Sequence, residues 1–353
     1  MHVAALADYG GPYAGSFVPV LAAVGREARS RGHTFEVVFT PVARDRPWLP
    51  ELEGIPVSFS SGRSLRELAS AVPRADVLHT HFTSFDVPAL LAARGRARVI
   101  WHVHTRMDPR LRVRAANAVK YGVLGRRVGR IVCVAPHIEA MVRRRLAPPA
   151  RTMTILNAID AGRFPLRTTE RVAAAREALG IAPAERVLLH FGRLWHLKGG
   201  DVLLEAVRRL DEEVLVLTVA GEDARRNARE LGLDGAVRTL EPVTDVAALY
   251  TAADLFVSCS REEGMPYSLL EAAASGTGVV ASDIPGQGQI AARLPGARVA
   301  ALEPAALAAA IDALLGRTAV EARADGEAAR AWVRSHADLA IGARRLVDVY
   351  EQV

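Results

Sequence analysis

The run Arg261-Glu262-Glu263-Gly264-Met265-Pro266-Tyr267-Ser268-Leu269-Leu270-Glu271 holds two carboxylates, Glu263 and Glu271, with seven residues between them. Pro266 suits the first position of a helix, where its missing N–H costs nothing. Gly276 suits the end of the same helix. Glu263 then falls in the loop before the helix and Glu271 on its second turn. Between them lie the free N–H groups of a helix N-terminus, which attract anions. Acids flanking phosphate donors match a nucleotide-sugar pocket: carboxylates bind ribose and hexose hydroxyls, while amides hold the diphosphate.

A second group is Gly192-Arg193-Leu194-Trp195-His196-Leu197-Lys198-Gly199-Gly200, a loop followed by an amphipathic helical pattern. Arg193 and Lys198 are spaced to reach one diphosphate, from the loop and from the first turn of the helix. An arbitrary Arg and Lys would be read as solvated surface cations. Only Lys120 and Lys198 are lysines in a chain otherwise built on arginine, so a lysine here points to a need for a compact ammonium. Asp8-Tyr9-Gly10-Gly11-Pro12-Tyr13-Ala14-Gly15-Ser16 is a third, looser signal, with glycines that permit close backbone approach or serve a tight turn. It is not the GxGxxG of a dinucleotide site. His79 and His81, and His102 and His104, end two strand-like runs, each pair on one face by alternation. A zinc site is weighed and set aside. No matching Asp/Cys set accompanies the histidines, and no Asp-x-Asp occurs for a magnesium-bound nucleotide. One of His79 and His81 reads as a hydrogen-bonded core residue, and His104 as reaching a cleft.

These residues sit at the ends of alternating short strands and helices. Strand-like runs are Val3–Ala7, Phe35–Phe39, Asp76–His79, Arg98–Val103, Arg130–Ala135 and Thr152–Leu156, with helical patterns such as Phe17–Arg29, Leu65–Ala71 and Val87–Ala93 between them. A second series runs through Val187–Phe191, Val214–Ala220, Val237–Leu240, Leu255–Ser258 and Gly278–Ala281. Such alternation, twice over, reads as an α/β fold of two doubly wound parallel sheets. Ligands bind such sheets at the carboxyl ends of their strands, here expected in a cleft. The expected domains are 1–165, 166–335 and a helical tail, 336–353, crossing back to the first.

Composition narrows the setting. The 353 residues exceed one ordinary core. No apolar run reaches membrane-span length. The N-terminus enters a strand at once, which disfavours a secretory signal. Cys133 and Cys259 in apolar runs suit a reduced, cytoplasmic protein. Abundant Ala and Arg fit the coding bias of a high-GC bacterium. Residues 1–165 carry a net +12 and the remainder −6, an asymmetry that coding bias cannot produce. Within 106–151 there are 12 basic and 2 acidic side chains, so the first half is expected to meet something anionic. Pro109–Gly125, with Arg110, Arg112, Arg114 and Lys120 among apolar residues, could lie on anionic lipid or frame a phosphate- or carboxylate-bearing acceptor. Equally, it could be an inward-packed helix with a solvated arginine face.

Taken together the chain resembles the retaining glycosyltransferases of family 4, with the GT-B fold. The resemblance rests on Gly10-Gly11, Asp76-Val77-Leu78-His79-Thr80-His81, the His104 strand, Ile155-Leu156-Asn157-Ala158-Ile159-Asp160, Phe191-Gly192-Arg193-Leu194 with Lys198-Gly199, and Ala253-Asp254 before the Glu263/Glu271 block. It covers nearly the whole length. The resemblance implies that Arg193 and Lys198 hold the donor diphosphate and stabilise charge on the departing nucleotide. By the same resemblance, amides near Ser268 and Leu269 add to that hold and Glu271 takes the ribose. Glu263, with the amides of Gly264 and Met265, orients the transferred sugar. His104 lies near the reacting sugar and acceptor, and Gly10 and Gly11 leave room for both. It implies no metal, no cofactor beyond the nucleotide-sugar co-substrate, and no nucleic acid.

Two departures stand out: Ala158 where the family usually has glycine, and Pro12-Tyr13 where an acid often follows Gly-Gly. The second bears on the acceptor side. Base contacts are expected near Glu241-Pro242-Val243, and uridine is a guess from the class. Alternatives are a nucleotide-sugar epimerase or metal-dependent hydrolase on the same architecture, or a non-catalytic binding subunit.

Overall fold

The computed structural model describes residues 1–72, 74–105, 110–241, 243 and 245–353. They form two compact units. One comprises Met1–Asp160 with Asp338–Val353, the other Ala161–Ala337.

In the first unit, the described strands are β1 (His2–Ala7), β2 (Thr34–Phe39), β3 (Val57–Phe59), β4 (Val77–His81), β5 (Arg98–Val103), β6 (Arg130–Cys133) and β7 (Thr152–Thr154). They pair in parallel in the order β3-β2-β1-β4-β5-β6-β7. The central strands β1 and β4 are buried nearly throughout, as parallel strands covered on both faces must be. Helix Phe17–Ser30 packs on β1 and β2 through Phe17, Leu21, Val24 and Ala28. The C-terminal helix Leu339–Glu351 joins the same core through Leu346, Val347 and Tyr350. Arg31 pairs with Asp348 at 2.7 Å and Glu351 at 3.0 Å, tying the two helices at their ends.

The second unit has β8 (Arg186–Phe191), β9 (Val214–Val219), β10 (Val237–Leu240), β11 (Leu255–Ser258), β12 (Gly278–Ser282) and β13 (Arg298–Ala300). Their order, β10-β9-β8-β11-β12-β13, is again fully parallel. The unit has its own core of Leu188, Leu203, Val216, Val257, Val280 and Ile311.

The sequence boundaries at 165 and 335 move to 160 and 337. Phe164 stacks edge-on against Tyr250, and Arg330 donates to the carbonyls of Phe164, Ala274 and Ala161, so Ala161–Phe164 belongs to the second unit. The expected tail is the single helix Leu339–Glu351, which follows helix Ala319–His336 of the second unit. Asp338 caps helix Leu339–Glu351, accepting from the Ala340 amide at 3.0 Å.

Candidate functional site

The strand order of the second sheet reverses between β8 and β11, so the loops leaving these strands diverge and open a crevice at their carboxyl ends. Those loops carry the predicted donor residues. Gly199 is the tightest point: its φ is +69°, and a Cβ built there would lie 1.8 Å from the Cys259 carbonyl oxygen. Only glycine allows the loop after β8 to press on the loop after β11. The Arg261 amide donates to Leu197 O at 2.8 Å. Its guanidinium grips both oxygens of Asp201 at 2.8 Å and reaches the His196 carbonyl. On the far side, buried Gln287 accepts from Ser258 Oγ (2.7 Å) and donates to Ser258 O and Ser282 Oγ (2.6 Å each). Ser282 Oγ in turn donates to Ser260 O at 2.7 Å. The two loops are therefore held together by backbone and buried polar contacts.

Lys198 and Glu263 meet at 2.5 Å, and Ser260 Oγ donates to the same carboxylate oxygen at 2.7 Å. Arg193, on the loop after β8, is exposed and has no side-chain partner among the described residues. Glu271 is buried and accepts from Tyr250 OH at 2.9 Å. Burial, with the Glu271 charge beside it, pushes the Tyr250 phenol well up, so it stays a donor. Helix Tyr267–Ser275 starts between the two glutamates with no side chain capping it; Ser268 and Leu269 lie in its first turn. Gly264 is half-buried and Met265 buried in the loop ahead. The helix ends on Gly276 at φ +75°. Two placements differ from the sequence reading. Pro266, with extended ψ of 126°, is the N-cap instead of the first helical residue. Lys198 lies in the loop before the helix Gly200–Val207, because left-handed Gly199 delays the helix start.

In the first unit the four histidines form one stack at the ends of β4 and β5. Tyr350 OH lies 2.7 Å from His79 Nδ1, His79 Nε2 3.2 Å from His102 Nδ1, and His81 Nδ1 3.1 Å from His104 Nε2. Burial lowers His79 and His104 to about 3 and His81 and His102 well below the usual imidazole range, so all four are neutral. Ligand nitrogens of His79, His81 and His102 lie within 4.8 Å of one another, the group among the described residues able to approach a metal. His79 and His81 already spend nitrogens on the hydrogen bonds above. His104 is half-buried, at the strand end.

Gly10 and Gly11 follow β1 without a positive φ; Gly15, at +54°, has one. A Cβ on Gly10 would strike Val42 Cγ1 at 2.5 Å, and one on Gly11 would reach Tyr9 OH at 3.0 Å. Their smallness serves loop packing, the tight-turn alternative. Lys120 is not on the basic face expected of it. It is paired at 2.5 Å with buried Asp86 and lies over the Trp101 and Tyr121 rings. Residues 106–109 of the basic stretch, and Pro242 of the loop expected near the base, fall outside the described residues.

Ser260, Tyr250, Gln287 and the Arg261–Asp201 clasp had no sequence signal of their own, since each acts through a partner far along the chain. A recess of about 910 Å3 opens elsewhere in the second unit, lined by Arg167, Arg186, Asp254, Thr277, Arg317 and Asp325. It lies at the amino ends of β8, β11 and β12. Arg167 there faces Asp254 at 3.6 Å and Arg317 pairs with Asp325, so its charges are largely spent on each other.

Two family models match the chain. Residues 19–163 match Glycosyltransferase Family 4, and residues 185–317 match Glycosyl transferases group 1. The chain belongs to glycosyltransferase family 4. Curated relatives include a D-inositol 3-phosphate glycosyltransferase of Geodermatophilus obscurus, 29% identical over 90% of this chain and 81% of that protein. A D-inositol 3-phosphate glycosyltransferase 2 of Catenulispora acidiphila is 36% identical over 50% of this chain and 45% of its own length. The chain thus spans about half of the latter. Among solved structures, Anabaena HepE in complex with UDP matches with a TM-score of 0.87 at 19% identity, over 100% of both chains. That likeness is one of fold, and the fold is the GT-B class of family 4. The group 1 segment lies within the second unit and contains Arg193, Lys198, Glu263 and Glu271, and the Family 4 segment lies in the first unit up to Asp160.

Proposed function

We propose that this chain is a retaining glycosyltransferase moving a sugar from a nucleoside-diphosphate sugar, with uridine as the base, to a hydroxyl acceptor. The observation that carries the reading is the Lys198–Glu263 pair, with exposed Arg193 on the same loop as Lys198 and a helix N-terminus without a side-chain cap after Glu263, at the switch point of the second sheet. Support for uridine comes from the UDP complex of Anabaena HepE. The names of the curated relatives support a phosphorylated polyol such as an inositol phosphate among the acceptors.

The roles follow from chemistry. Arg193 and Lys198 hold the diphosphate and offset the negative charge that grows on it as the C1–O bond breaks. Amides of Ser268 and Leu269 add donors at the positive end of their helix. Glu271, fixed by Tyr250, accepts from the ribose hydroxyls. Glu263 turns from Lys198 to the hexose hydroxyls, alongside the amides of Gly264 and Met265. The acceptor oxygen bonds to C1 on the face the diphosphate leaves, and a departing phosphate oxygen takes its proton. No carboxylate serves as nucleophile and no metal is required. The acceptor side belongs to the first unit, with Gly10, Gly11 and His104 at the ends of β1 and β5. Two buried free thiols, Cys133 and Cys259, fit a reducing cytoplasm.

A panel of nucleotides and nucleotide sugars in thermal-shift assays, followed by UDP release with an inositol phosphate and with other hydroxyl acceptors, tests this. Stabilisation by UDP and UDP-sugars and acceptor-dependent UDP release unaffected by EDTA are expected. Absence of any nucleotide-induced shift would sink the donor reading.

A further inference from the structure

Helix Leu111–Gly122 of the first unit turns a mixed face inward and leaves an apolar ridge on the other. Val113, Asn117, Lys120 and Tyr121 turn inward, where Tyr121 packs edge-on against Trp101 and Lys120 pairs with Asp86. Leu111, Ala115, Val119 and Val123 repeat every four residues, on the opposite side, as one continuous ridge. That ridge is in solvent: Leu111 is 80% exposed, Val119 58% and Val123 59%. Leu146 extends it. Its side chain abuts Gly122, where a built Cβ would lie 2.9 Å from Leu146 Cβ, yet it remains 68% exposed.

The backbone of Leu146 carries a second signal. It closes the turn after helix Pro136–Arg143 with φ +65°, its N–H donating to Arg143 O at 2.9 Å. Helices commonly end on such a left-handed residue, and glycine is the usual choice. A leucine there is strained and gains nothing from burial. Folding alone therefore does not account for it.

Charge supplies the complement. From 110 to 130 there are seven basic residues and no acidic one. Arg112, Arg114, Arg126 and Arg127 are exposed, and none has a carboxylate partner among the described residues. An apolar ridge flanked by unpaired arginines matches an anionic bilayer, with leucine and valine at the acyl boundary and guanidinium groups at the headgroups. Nucleic acid would leave the ridge without a role, and a second copy of this chain would oppose arginine to arginine.

We propose that the ridge Leu111, Ala115, Val119 and Val123, with Leu146 and its flanking arginines, is a docking face for anionic membrane surfaces. The face belongs to the first unit, none of its residues is among those assigned to the donor, and it does not rest on the functional reading above.

The experiment is sedimentation of the full chain with vesicles of phosphatidylcholine containing 30 mol% phosphatidylglycerol, against phosphatidylcholine alone, at about 0.05 and 0.5 M salt. Binding to the anionic vesicles that weakens at high salt is expected. Arg126→Ala with Arg127→Ala should weaken it on the order of tenfold. Leu146→Gly should weaken it roughly tenfold while keeping or raising the melting temperature, because glycine suits the left-handed turn. Val119→Ser should act in the same direction. UDP-induced thermal shifts should be unchanged in all these variants. The proposal is overturned if wild type fails to bind anionic vesicles at low salt, or if neither the arginine nor the leucine change alters binding. It is also overturned if Val119→Ser abolishes a dimer seen by sedimentation velocity while vesicles are ignored.

Discussion

Both lysines of the chain stand 2.5 Å from a carboxylate, but in different settings. Lys120 is enclosed by Asp86, Trp101 and Tyr121 and acts structurally. Lys198 is about a third exposed beside Glu263, in the loop that a diphosphate would enter. Swapping the partners of Lys198 and Glu263 for ligand groups is the event the proposed chemistry needs. Lys198→Ala and Glu263→Gln should each lower kcat on the order of 100-fold or more, with circular dichroism and melting temperature close to wild type. Full activity in both variants would remove these residues from the site. Gly199→Ala is expected to behave differently. A methyl group cannot fit 1.8 Å from the Cys259 oxygen, and φ +69° disfavours any Cβ. The two loops must then part, with a stability loss of about 3 kcal/mol or more by urea denaturation, and activity lost with it.

Among the elements, β4 and β5 concentrate an acid-sensitive load. His79, His81, His102 and His104 have folded pKa values depressed by burial, to about 3 for His79 and His104, against an unfolded value near 6.5. Below that value the unfolded chain binds protons that the folded one refuses, so stability present above about pH 6.5 is lost as pH falls. Asp86 works oppositely. Burial raises it to about 6, so the folded state takes its proton first and gains as pH falls through 6. Four groups outweigh one, and each histidine contributes up to about 1.4 kcal/mol per pH unit. Hydrogen exchange of β4 and β5 amides should therefore speed up markedly between pH 7.5 and 5.5 after correction for intrinsic rates. His102→Leu should flatten that dependence by about one proton, and pH-independent protection would count against neutral, buried imidazoles. Strand β5 was legible because a parallel strand buried on both faces leaves a nearly continuous apolar run, and β4 by its start, Val77-Leu78, beside it. Strands β3 and β13 were not, since three residues show no period of their own; β7 is as short and was read only as part of the longer run Thr152–Leu156. The same limit hid Tyr250 from Glu271 and Gln287 from Ser258, contacts that only the folded topology creates. Spacing pairs Glu263 with Glu271 and Arg193 with Lys198 within two separate stretches, and it is the adjacency of β8 and β11 in the sheet that brings Lys198 to Glu263.

At the scale of the whole molecule, the two units are interleaved in sequence but each has its own core. All residues assigned to the donor, with the Arg261–Asp201 clasp and the Gln287 network that hold their loops, lie within Ala161–Ala337. Arg330 fastens the first residues of that span to its body, through the carbonyls of Ala161 and Phe164. The first unit is not contiguous. Removing residues 338–353 would strip Leu346, Val347 and Tyr350 from its core, and take Asp348 and Glu351 from Arg31 and the Tyr350 hydroxyl from His79. A fragment of residues 161–337 should thus unfold cooperatively and bind UDP within about threefold of the full chain by calorimetry, while releasing no UDP from UDP-sugar in the presence of acceptor. A chain ending at Ala337 should keep a cooperative second unit but lose protection throughout the sheet of the first. A tenfold or greater loss of UDP affinity in the isolated fragment would mean that the first unit holds part of the nucleotide, and the assignment of the donor to the second unit alone would fail.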